Sequence, residues 1–161
     1  MNIGGMANIS VLRPSSADSV QGFDTGPGNA LLDGWNRRHG RGDYDRDGDW
    51  ARSGNVDSQL IARLLRHPYL GLAAPKSTGR EEFNLAWLDG LLNGLVVAAR
   101  DVQATLLAFT ATTIANAILD TLPESGEVFV CGGGIHNACL MEQLRKRLEP
   151  RQVESTAALG I

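Results

Sequence analysis

Hydrophobic and polar positions alternate along two short stretches near the start of the chain, at residues 3–13 and 19–23. Alternation with a period of two is typical of half-buried strands, so these stretches are predicted to pair across a polar turn at residues 14–18. A third apolar stretch, at residues 127–131, lacks this alternation and predicts a strand buried on both faces. Helical spacing and cap residues predict helices over residues 28–38, 57–66, 81–92, 101–122 and 136–148. This order of elements predicts a mixed α/β fold.

The longest predicted helix covers residues 101–122. Its apolar positions recur mostly every three to four residues, at Val102, Leu106, Phe109, Thr113, Ile114, Ala117 and Ile118. Asp57 is predicted to cap the helix at residues 57–66, which ends before Pro68. The segments between the helices, at residues 40–54 and 67–80, are predicted as a polar loop and an irregular stretch.

One carboxylate, Asp24, lies between a predicted strand and a turn rich in glycine at residues 25–28. A strand followed by such a turn and a helix is where phosphates and sugars often meet free backbone N–H groups. A carboxylate would repel a phosphate, so Asp24 is predicted as a base or as an acceptor for a hydroxyl. The alternative is an Asx-turn, in which the side chain caps its own backbone.

Three consecutive glycines, Gly132, Gly133 and Gly134, follow the apolar stretch at residues 127–131. They let a flat ligand or a phosphate approach the main chain, at an entropic cost to folding that a ligand would explain. Their spacing does not match the dinucleotide fingerprint, and they lack the Lys-Ser/Thr ending of a P-loop. A nucleotide site of another kind is therefore predicted, with a plain tight turn as the alternative.

The opening segment, residues 2–12, mixes strand-forming residues with the pair Gly4 and Gly5. Glycines inside a strand pattern indicate a bulge or the close approach of a ligand to the backbone. A loosely specified edge strand is the alternative for this segment.

Two polar segments have open interpretations. Residues 43–49 match the first half of a calcium loop, but its position 12 would be Gly54, where a bidentate Glu is required. A solvated loop is therefore favoured over a calcium site there. Residues 76–81 either contact phosphate or sugar, or begin a helix capped by Ser or Thr. No metal site is predicted, because ligand spacing is lacking at His39, His67 and His136.

Length and charge narrow the class of protein. At 161 residues and a net charge of −3, the chain can bury one sizeable core and has no basic footprint for nucleic acid. Its apolar run at residues 91–99 is interrupted and too short to cross a membrane. Cys131 and Cys139 fit neither a disulfide framework nor a zinc pattern. We therefore expect a cytoplasmic protein with reduced thiols and no nucleic-acid or membrane partner.

Four motifs, in this order, closely resemble anhydro-N-acetylmuramic acid kinases, a family of the sugar kinase, Hsp70 and actin superfamily. The motifs are residues 2–8 (NIGGMAN), 23–29 (FDTGPGN), 75–81 (PKSTGRE) and 131–137 (CGGGIHN). The resemblance runs the whole length of the chain. It implies a ribonuclease H-like (actin-like ATPase) lobe, an α/β fold with a mixed sheet flanked by helices, as a single domain over residues 1–161.

The resemblance also implies an incomplete enzyme. The chain corresponds to the second, carboxy-terminal lobe of a two-lobe sugar kinase, and the amino-terminal lobe and final segment of the family are absent. We therefore expect the isolated chain to have no kinase turnover. The resemblance also leads us to expect that the full-length protein is a homodimer. The alternative is a non-catalytic lobe that binds nucleotide or dimerises, with the long helix at residues 101–122 as its interface.

The activity implied by the resemblance is phosphorylation, by ATP, of the 6-oxygen of 1,6-anhydro-N-acetylmuramic acid while water opens the anhydro bridge. The product is N-acetylmuramic acid 6-phosphate, formed in cell-wall recycling. Mg²⁺ is expected with ATP, bound mostly by phosphate and water. Asp24 matches the general base that acts on the water.

The resemblance assigns the remaining site residues to nucleotide and sugar. Those matching the adenosine-binding turn are Gly132, Gly133, Gly134 and Asn137, and those facing the phosphates are Gly4 and Gly5. The residues expected to bind the sugar are Asn8, Gly26, Gly28 and Asn29.

Overall fold

The computed structural model describes residues 1–13, 20–123 and 126–160. The strands are β1 (Asn2–Ile3), β2 (Met6–Val11), β3 (Gln21–Pro27), β4 (Val128–Val130) and β5 (Val153–Ser155). The α-helices are α1 (Ala30–Arg38), α2 (Asp49–Arg52), α3 (Ser58–Leu64), α4 (Leu85–Leu92), α5 (Ala99–Thr121) and α6 (Ala138–Leu148). Single 3₁₀ turns lie at Arg46–Gly48, Pro68–Gly71, Gly133–His136 and Thr156–Leu159. The turn predicted at residues 14–18 lies outside the described residues.

The strands form two sheets that meet at β1. β1, β2 and β3 are antiparallel neighbours in that order, and β4 and β5 are a parallel pair. A parallel bridge between Asn2 and Cys131 joins the two sheets. Ile3 N donates to Cys131 O over 2.9 Å, and Cys131 N donates to Met1 O over 2.9 Å. The predicted mixed α/β architecture is therefore confirmed.

The turn at Gly4 and Gly5, which follows β1, packs directly against the turn that follows β3. Gly28 N donates to Gly5 O over 2.9 Å, and Asn29 N donates to Gly4 O over 2.8 Å. A Cβ atom at Gly28 would overlap Gly4 O. Glycine is therefore required at Gly28 because two stretches of backbone approach too closely for any side chain.

The turn after β4 approaches β1 from the other side. A Cβ atom at Gly132 would overlap Asn2 Oδ1, and one at Gly134 would overlap the side chain of Ile3. Gly132 also has a φ of +85°, in the left-handed region that favours glycine. Packing inside the protein thus accounts for two of the three consecutive glycines.

α5 is the central helix of the core. It packs against α1, α2, α3, α6, β2 and β3, and its buried residues run from Val102 to Ile118 on every side of the helix. By length and hydropathy α5 would suffice to cross a membrane, but 78% of its apolar window is buried within the chain, as is typical of a core helix. The buried residues of α5 disfavour the alternative that this helix serves as a dimer interface, because most of its apolar side chains already face the chain's own core.

Threonines on buried faces of α5 anchor the surrounding loops. Thr110 Oγ1 donates to Gly28 O over 3.1 Å, and Thr105 Oγ1 accepts a hydrogen bond from Asp57 N over 2.9 Å. Because a buried polar group costs free energy unless it is paired, these bonds satisfy the threonines and fix the loops together. The glycine-rich turn after β3 is thereby held by both the sheet and the central helix.

Element boundaries differ from the prediction where long-range pairing or a cap decides them. The strand predicted at residues 19–23 continues to Pro27, because β3 pairs with β2 along this whole stretch. The helix predicted from residue 81 begins at Leu85 instead, where the side chain of Asn84 is the N-cap.

Two other predicted features, the cap at Asp57 and the strand at residues 127–131, are present in the structure. The prediction that Asp57 caps its helix is confirmed, since its carboxylate accepts hydrogen bonds from the N–H groups of Gln59 and Leu60. The strand predicted at residues 127–131 is β4, and its partner β5 was not predicted because three residues give too short a pattern to recognise.

The loop predicted at residues 40–54 contains α2 and is organised by a buried carboxylate. Asp45 accepts hydrogen bonds from Trp50 N, Ala51 N and Gln103 Nε2 over 2.9, 3.0 and 3.2 Å. These protein donors satisfy the carboxylate. Within the described ranges, no group of three or more His, Cys, Asp or Glu side chains could hold a metal ion. The calcium interpretation of residues 43–49 is therefore not supported.

Replacement of glycine by alanine should have opposite effects on the free energy of unfolding at Gly134, which is closely packed, and at Gly90, which is exposed. Gly134→Ala should lower the free energy of unfolding by about 1–3 kcal/mol, because the new methyl group must displace Ile3. Gly90→Ala, at an exposed position within α4 that has no atom near its Cβ, should raise it by about 0.5–1 kcal/mol. Urea unfolding of both variants measures the difference, and equal effects would contradict the close packing of β1.

The three bonds to Asp45 make a second prediction about stability. Asp45→Ala should lower the free energy of unfolding by about 2–4 kcal/mol, because it leaves buried donors unpaired. Asp43→Ala, at an exposed neighbour, should change it by less than about 0.5 kcal/mol. Thermal unfolding with and without added CaCl₂ should give the same midpoint. A calcium-dependent rise that Asp45→Ala abolishes would instead restore the calcium-loop interpretation.

Candidate functional site

A cavity of about 380 Å³ opens between the glycine-rich turns and the loop that precedes α2. Its size falls in the range of small-molecule sites in proteins. It is lined by Asn29, Asp33, Tyr44, Asp45, Gly133, His136 and Asn137. Residues predicted from separate motifs, far apart in the sequence, therefore share one cavity.

Gly133 is the member of the three-glycine turn that faces this cavity. Its Cβ position has Asn29 Nδ2 as its near neighbour, at 3.7 Å, which is ordinary van der Waals contact. Gly132 and Gly134, by contrast, are explained by their contacts with β1. A ligand is therefore not needed to explain Gly132 and Gly134, and of the three glycines only Gly133 has a Cβ position without close contacts.

Gly4 and Gly5 form the turn between β1 and β2, and their carbonyls are occupied by hydrogen bonds from the turn after β3. The loosely specified edge strand is excluded, because β1 pairs with β2 on one side and bridges to Cys131 on the other. The guanidinium of Arg80 lies beside Gly5, with Nη2 3.3 Å from where a Cβ would stand. This positive charge next to a glycine turn can attract an anion.

Asp33 gives the cavity a half-buried carboxyl group. Its burial raises the pKa of this carboxyl above the ordinary value, and the positive charges of Arg37 and Arg80 oppose that rise. The negative charges of Asp43 and Asp45 add to it. Asp33 comes from the first turn of α1, and sequence reasoning missed it because an acidic residue there is common near helix N-termini.

Asn137 is buried at the end of the three-glycine turn and caps α6. Its Oδ1 atom accepts a hydrogen bond from Leu140 N over 3.0 Å. A Cβ atom at Gly48 would overlap this same side chain. Asn137 therefore shapes the cavity wall and the start of α6, with its carbonyl oxygen already bound.

Asp24 lies within β3 and not in the glycine-rich turn that follows it. It stands opposite Asn8 of β2 in the sheet register. Gly28 follows four residues later, which corresponds to about 13 Å along an extended chain. The strand therefore leads from the carboxylate of Asp24 to the turn that packs on Gly4 and Gly5.

The carboxylate of Asp24 is bound by a distant segment of the chain. Its Oδ2 atom accepts hydrogen bonds from Ser77 Oγ and from Thr78 N, each over 3.0 Å. The Asx-turn alternative is therefore wrong, because these donors lie more than fifty residues away in the sequence. Asp24 remains partly exposed to solvent, so the group can still meet a ligand.

The segment at residues 76–81 does not begin a helix, since α4 starts at Leu85 under the cap of Asn84. Its lysine points away from Asp24, and Lys76 Nζ donates to the carbonyls of Tyr69 and Leu70 over 3.1 and 3.2 Å. The parts of this segment that reach the candidate site are the donors of Ser77 and Thr78 and the guanidinium of Arg80.

The predicted sugar-binding residues lie along β2, β3 and the turn after β3. Asn8 is partly exposed and faces its partner Asp24 across the sheet. Gly26 is buried, has a φ of +141°, and lies at a register shift between β2 and β3. Its Cβ position faces Thr113 on α5, so this glycine supports the path of the strand over the central helix.

A second cavity, of about 640 Å³, lies on the opposite side of β3 from Asp24. Phe23 and Thr25, which alternate with Asp24 along the strand, are among its lining residues. Lys76 and Asp120 also line it. Burial lowers the pKa of the Lys76 ammonium, and the negative charge of Asp120 opposes that shift. The larger cavity thus lacks the predicted base and the glycine-rich turns.

Comparison with known proteins agrees with the motifs on this surface. The sequence model of the family described as anhydro-N-acetylmuramic acid kinase matches residues 1–161. A relative of that name from Shewanella oneidensis is 50% identical over 162 residues, and one from Photobacterium profundum is 48% identical over 168 residues.

These alignments cover all of this chain but only part of each relative. The matched region is 43% of the Shewanella oneidensis protein and 44% of the Photobacterium profundum protein. The chain thus spans less than half the length of the curated relatives it matches. The family match over the full chain and the identity to these relatives agree, and the chain belongs to the anhydro-N-acetylmuramic acid kinase family.

Proposed function

We propose that this chain provides one lobe of an ATP-dependent kinase that opens and phosphorylates 1,6-anhydro-N-acetylmuramic acid. The product would be N-acetylmuramic acid 6-phosphate, which fits a role in cytoplasmic cell-wall recycling. The observation that carries the proposal is the arrangement of the site. An accessible carboxylate on β3 leads into glycine-rich turns that border a cavity of about 380 Å³.

The fold proposed for the lobe is ribonuclease H-like, as in actin-like ATPases. The antiparallel strands β1 to β3, continued by the parallel bridge from β1 to the end of β4, support this assignment. The helix α5 covers β2 and β3 on one side. This mixed sheet with a helical layer is the lobe architecture that we propose for the family.

ATP would bind in the cavity next to Gly133. Its open face leaves room for a flat base, and the partly exposed carboxyl of Asp33 can accept hydrogen bonds from hydroxyl groups. The turn at Gly4 and Gly5, with Arg80 beside it, would face the phosphates. Bound ATP supplies the phosphoryl group, and these residues orient it and offset its charge.

Asp24 would accept a proton from the water that attacks the anhydro carbon. That attack forms a bond from the water oxygen to the carbon and breaks the bond from the carbon to the bridge oxygen. The freed 6-oxygen becomes the acceptor of the phosphoryl group. A base contributes most when it is held in place before the reaction, which the hydrogen bonds from Ser77 and Thr78 support.

Magnesium would enter with the nucleotide. The described residues contain no group of three or more His, Cys, Asp or Glu side chains that could hold a metal ion. An ion bound mainly by phosphate oxygens and water needs no such cage, so the donor set of this chain fits magnesium carried by ATP.

We also propose that the full-length protein is a homodimer, formed through surfaces other than the buried α5.

Because the chain aligns with only 43% of the length of the Shewanella oneidensis relative, kinase activity is best tested in a complete protein. We define the complete kinase as this chain inserted in place of the matching segment of the Shewanella oneidensis relative. Turnover of the sugar by the complete kinase tests the proposed reaction directly. Nucleotide binding without any turnover would favour the alternative of a non-catalytic nucleotide-binding lobe.

The open face of Gly133 predicts a specific loss of nucleotide binding. In the complete kinase, Gly133→Val should abolish measurable ATP binding, because the side chain occupies the space that the base needs. Gly90→Val makes the same change at an exposed position in α4 and should leave ATP affinity unchanged. Calorimetry, with circular dichroism to confirm folding, measures both. Unchanged affinity in a folded Gly133→Val variant would remove the cavity as the adenosine site.

The role of Asp24 predicts a loss of rate without a loss of binding. In the complete kinase, Asp24→Asn should lower kcat by ~10²–10⁴-fold, because asparagine keeps the shape but cannot accept the proton. Asp89→Asn, which changes an exposed carboxylate paired with Arg38, is the matched control and should keep full turnover. ATP affinity should stay near normal in both variants. A folded Asp24→Asn variant with unaltered kcat would reduce Asp24 to a structural role.

A further inference from the structure

Residues in the segment from Tyr69 to Thr78 form hydrogen bonds with both the backbone and the side chain of Asp24. Tyr69 Oη donates to Asp24 O over 2.7 Å, and Asp24 N donates to Lys76 O over 3.0 Å. Ser77 Oγ and Thr78 N then donate to the carboxylate. The backbone of β3 at this residue is therefore fixed before the side chain is considered.

Both donors to the carboxylate of Asp24 bind the same oxygen atom. Ser77 Oγ and Thr78 N each lie 3.0 Å from Oδ2. Two bonds that meet at one oxygen from different directions restrict rotation about the side-chain torsions. They also leave the second oxygen, Oδ1, as the atom that can accept a proton.

Among the described residues, no positively charged side chain donates a hydrogen bond to the carboxylate of Asp24. The nearby Lys76 instead donates to the carbonyls of Tyr69 and Leu70 and lies over the Tyr69 ring at 4.7 Å. A neutral hydroxyl orients a carboxylate while reducing its basicity less than a paired cation would. Ser77 is thus suited to hold a base without neutralising it.

We propose that Ser77 is a positioning residue, which holds the side chain of Asp24 in one rotamer so that Oδ1 faces the reacting water. The effect of Ser77 on catalysis rests on the proposed function. The restriction of the Asp24 rotamer does not, because it concerns only contacts within this chain. Thr78 contributes through its backbone N–H, so Ser77 supplies the one side-chain hydroxyl that a substitution can remove.

Ser77 is exposed, which separates positioning from stability. An exposed hydrogen bond adds little to the stability of a fold, because water replaces it when it is lost. Removing this hydroxyl should therefore affect the orientation and rate of the site while leaving the unfolding midpoint of the chain unchanged.

The first arm of the test uses the 161-residue chain. The Hα–Hβ couplings of Asp24, measured by NMR, should indicate a single χ1 rotamer in the unsubstituted chain and rotamer averaging in Ser77→Ala. Ser77→Thr, which keeps the hydroxyl, should restore the single rotamer. Ser53→Ala removes a serine hydroxyl that bonds to Trp50 O and should leave the Asp24 couplings unchanged.

The second arm measures kinetics in the complete kinase. Ser77→Ala should lower kcat by about 10- to 100-fold with the KM for ATP within about twofold of normal. Ser77→Thr should recover kcat to within about threefold, as expected when the hydroxyl itself positions the base. Ser53→Ala should have the kcat of the unsubstituted protein.

The outcomes separate this inference from the proposed function. A single Asp24 rotamer in Ser77→Ala, or an unchanged kcat in an otherwise active kinase, would overturn the positioning role and leave the proposed function intact. A marked drop in the unfolding midpoint of Ser77→Ala would assign Ser77 a structural role instead. Absence of turnover by the unsubstituted complete kinase would overturn the proposed function, and with it the catalytic meaning of Ser77.

Discussion

The close backbone contacts of β1 hold the candidate site together. This two-residue strand pairs with β2, bridges to the end of β4, and is followed by the turn whose carbonyls receive the N–H groups of Gly28 and Asn29. Three motifs that are distant in the sequence therefore meet on one short piece of main chain. Because main-chain hydrogen bonds have narrow geometric limits, a change at any of these contacts would move all three turns relative to one another.

This arrangement changes what the glycines mean. A glycine that lets two segments of backbone touch is indistinguishable, in a sequence, from a glycine that lets a ligand approach. The close contacts of Gly28 and Gly132 include backbone atoms of the segment around β1, Gly134 packs against the side chain of Ile3, and only Gly133 of the three consecutive glycines has a Cβ position without close contacts. The cavity next to Gly133 is where we propose that a nucleotide binds, and its walls are set by packing within the chain.

The sequence predicted the elements better than their connections. Periodicity located α5, and the cap residue located the start of α3, because both signals are local. It could not predict that β3 extends through Asp24 to Pro27, since that depends on pairing with β2. Nor could it predict that Ser77 and Thr78 bind Asp24, because contacts over more than fifty residues leave no local pattern. The hydrogen bonds that bury Asp45 within the segment at residues 43–49 were not predicted for the same reason, as one of its donors, Gln103, lies in α5.

We propose that nucleotide binds between the glycine-rich turns and not in the larger cavity behind β3. The most direct test is a titration of the ¹⁵N-labelled chain with the magnesium complex of a non-hydrolysable ATP analogue, followed by amide chemical shifts. If nucleotide binds between the glycine-rich turns, saturable shifts should be largest at Gly5, Asn29 and Gly133. Saturable shifts confined to Phe23, Thr25 and their neighbours in the larger cavity would contradict it.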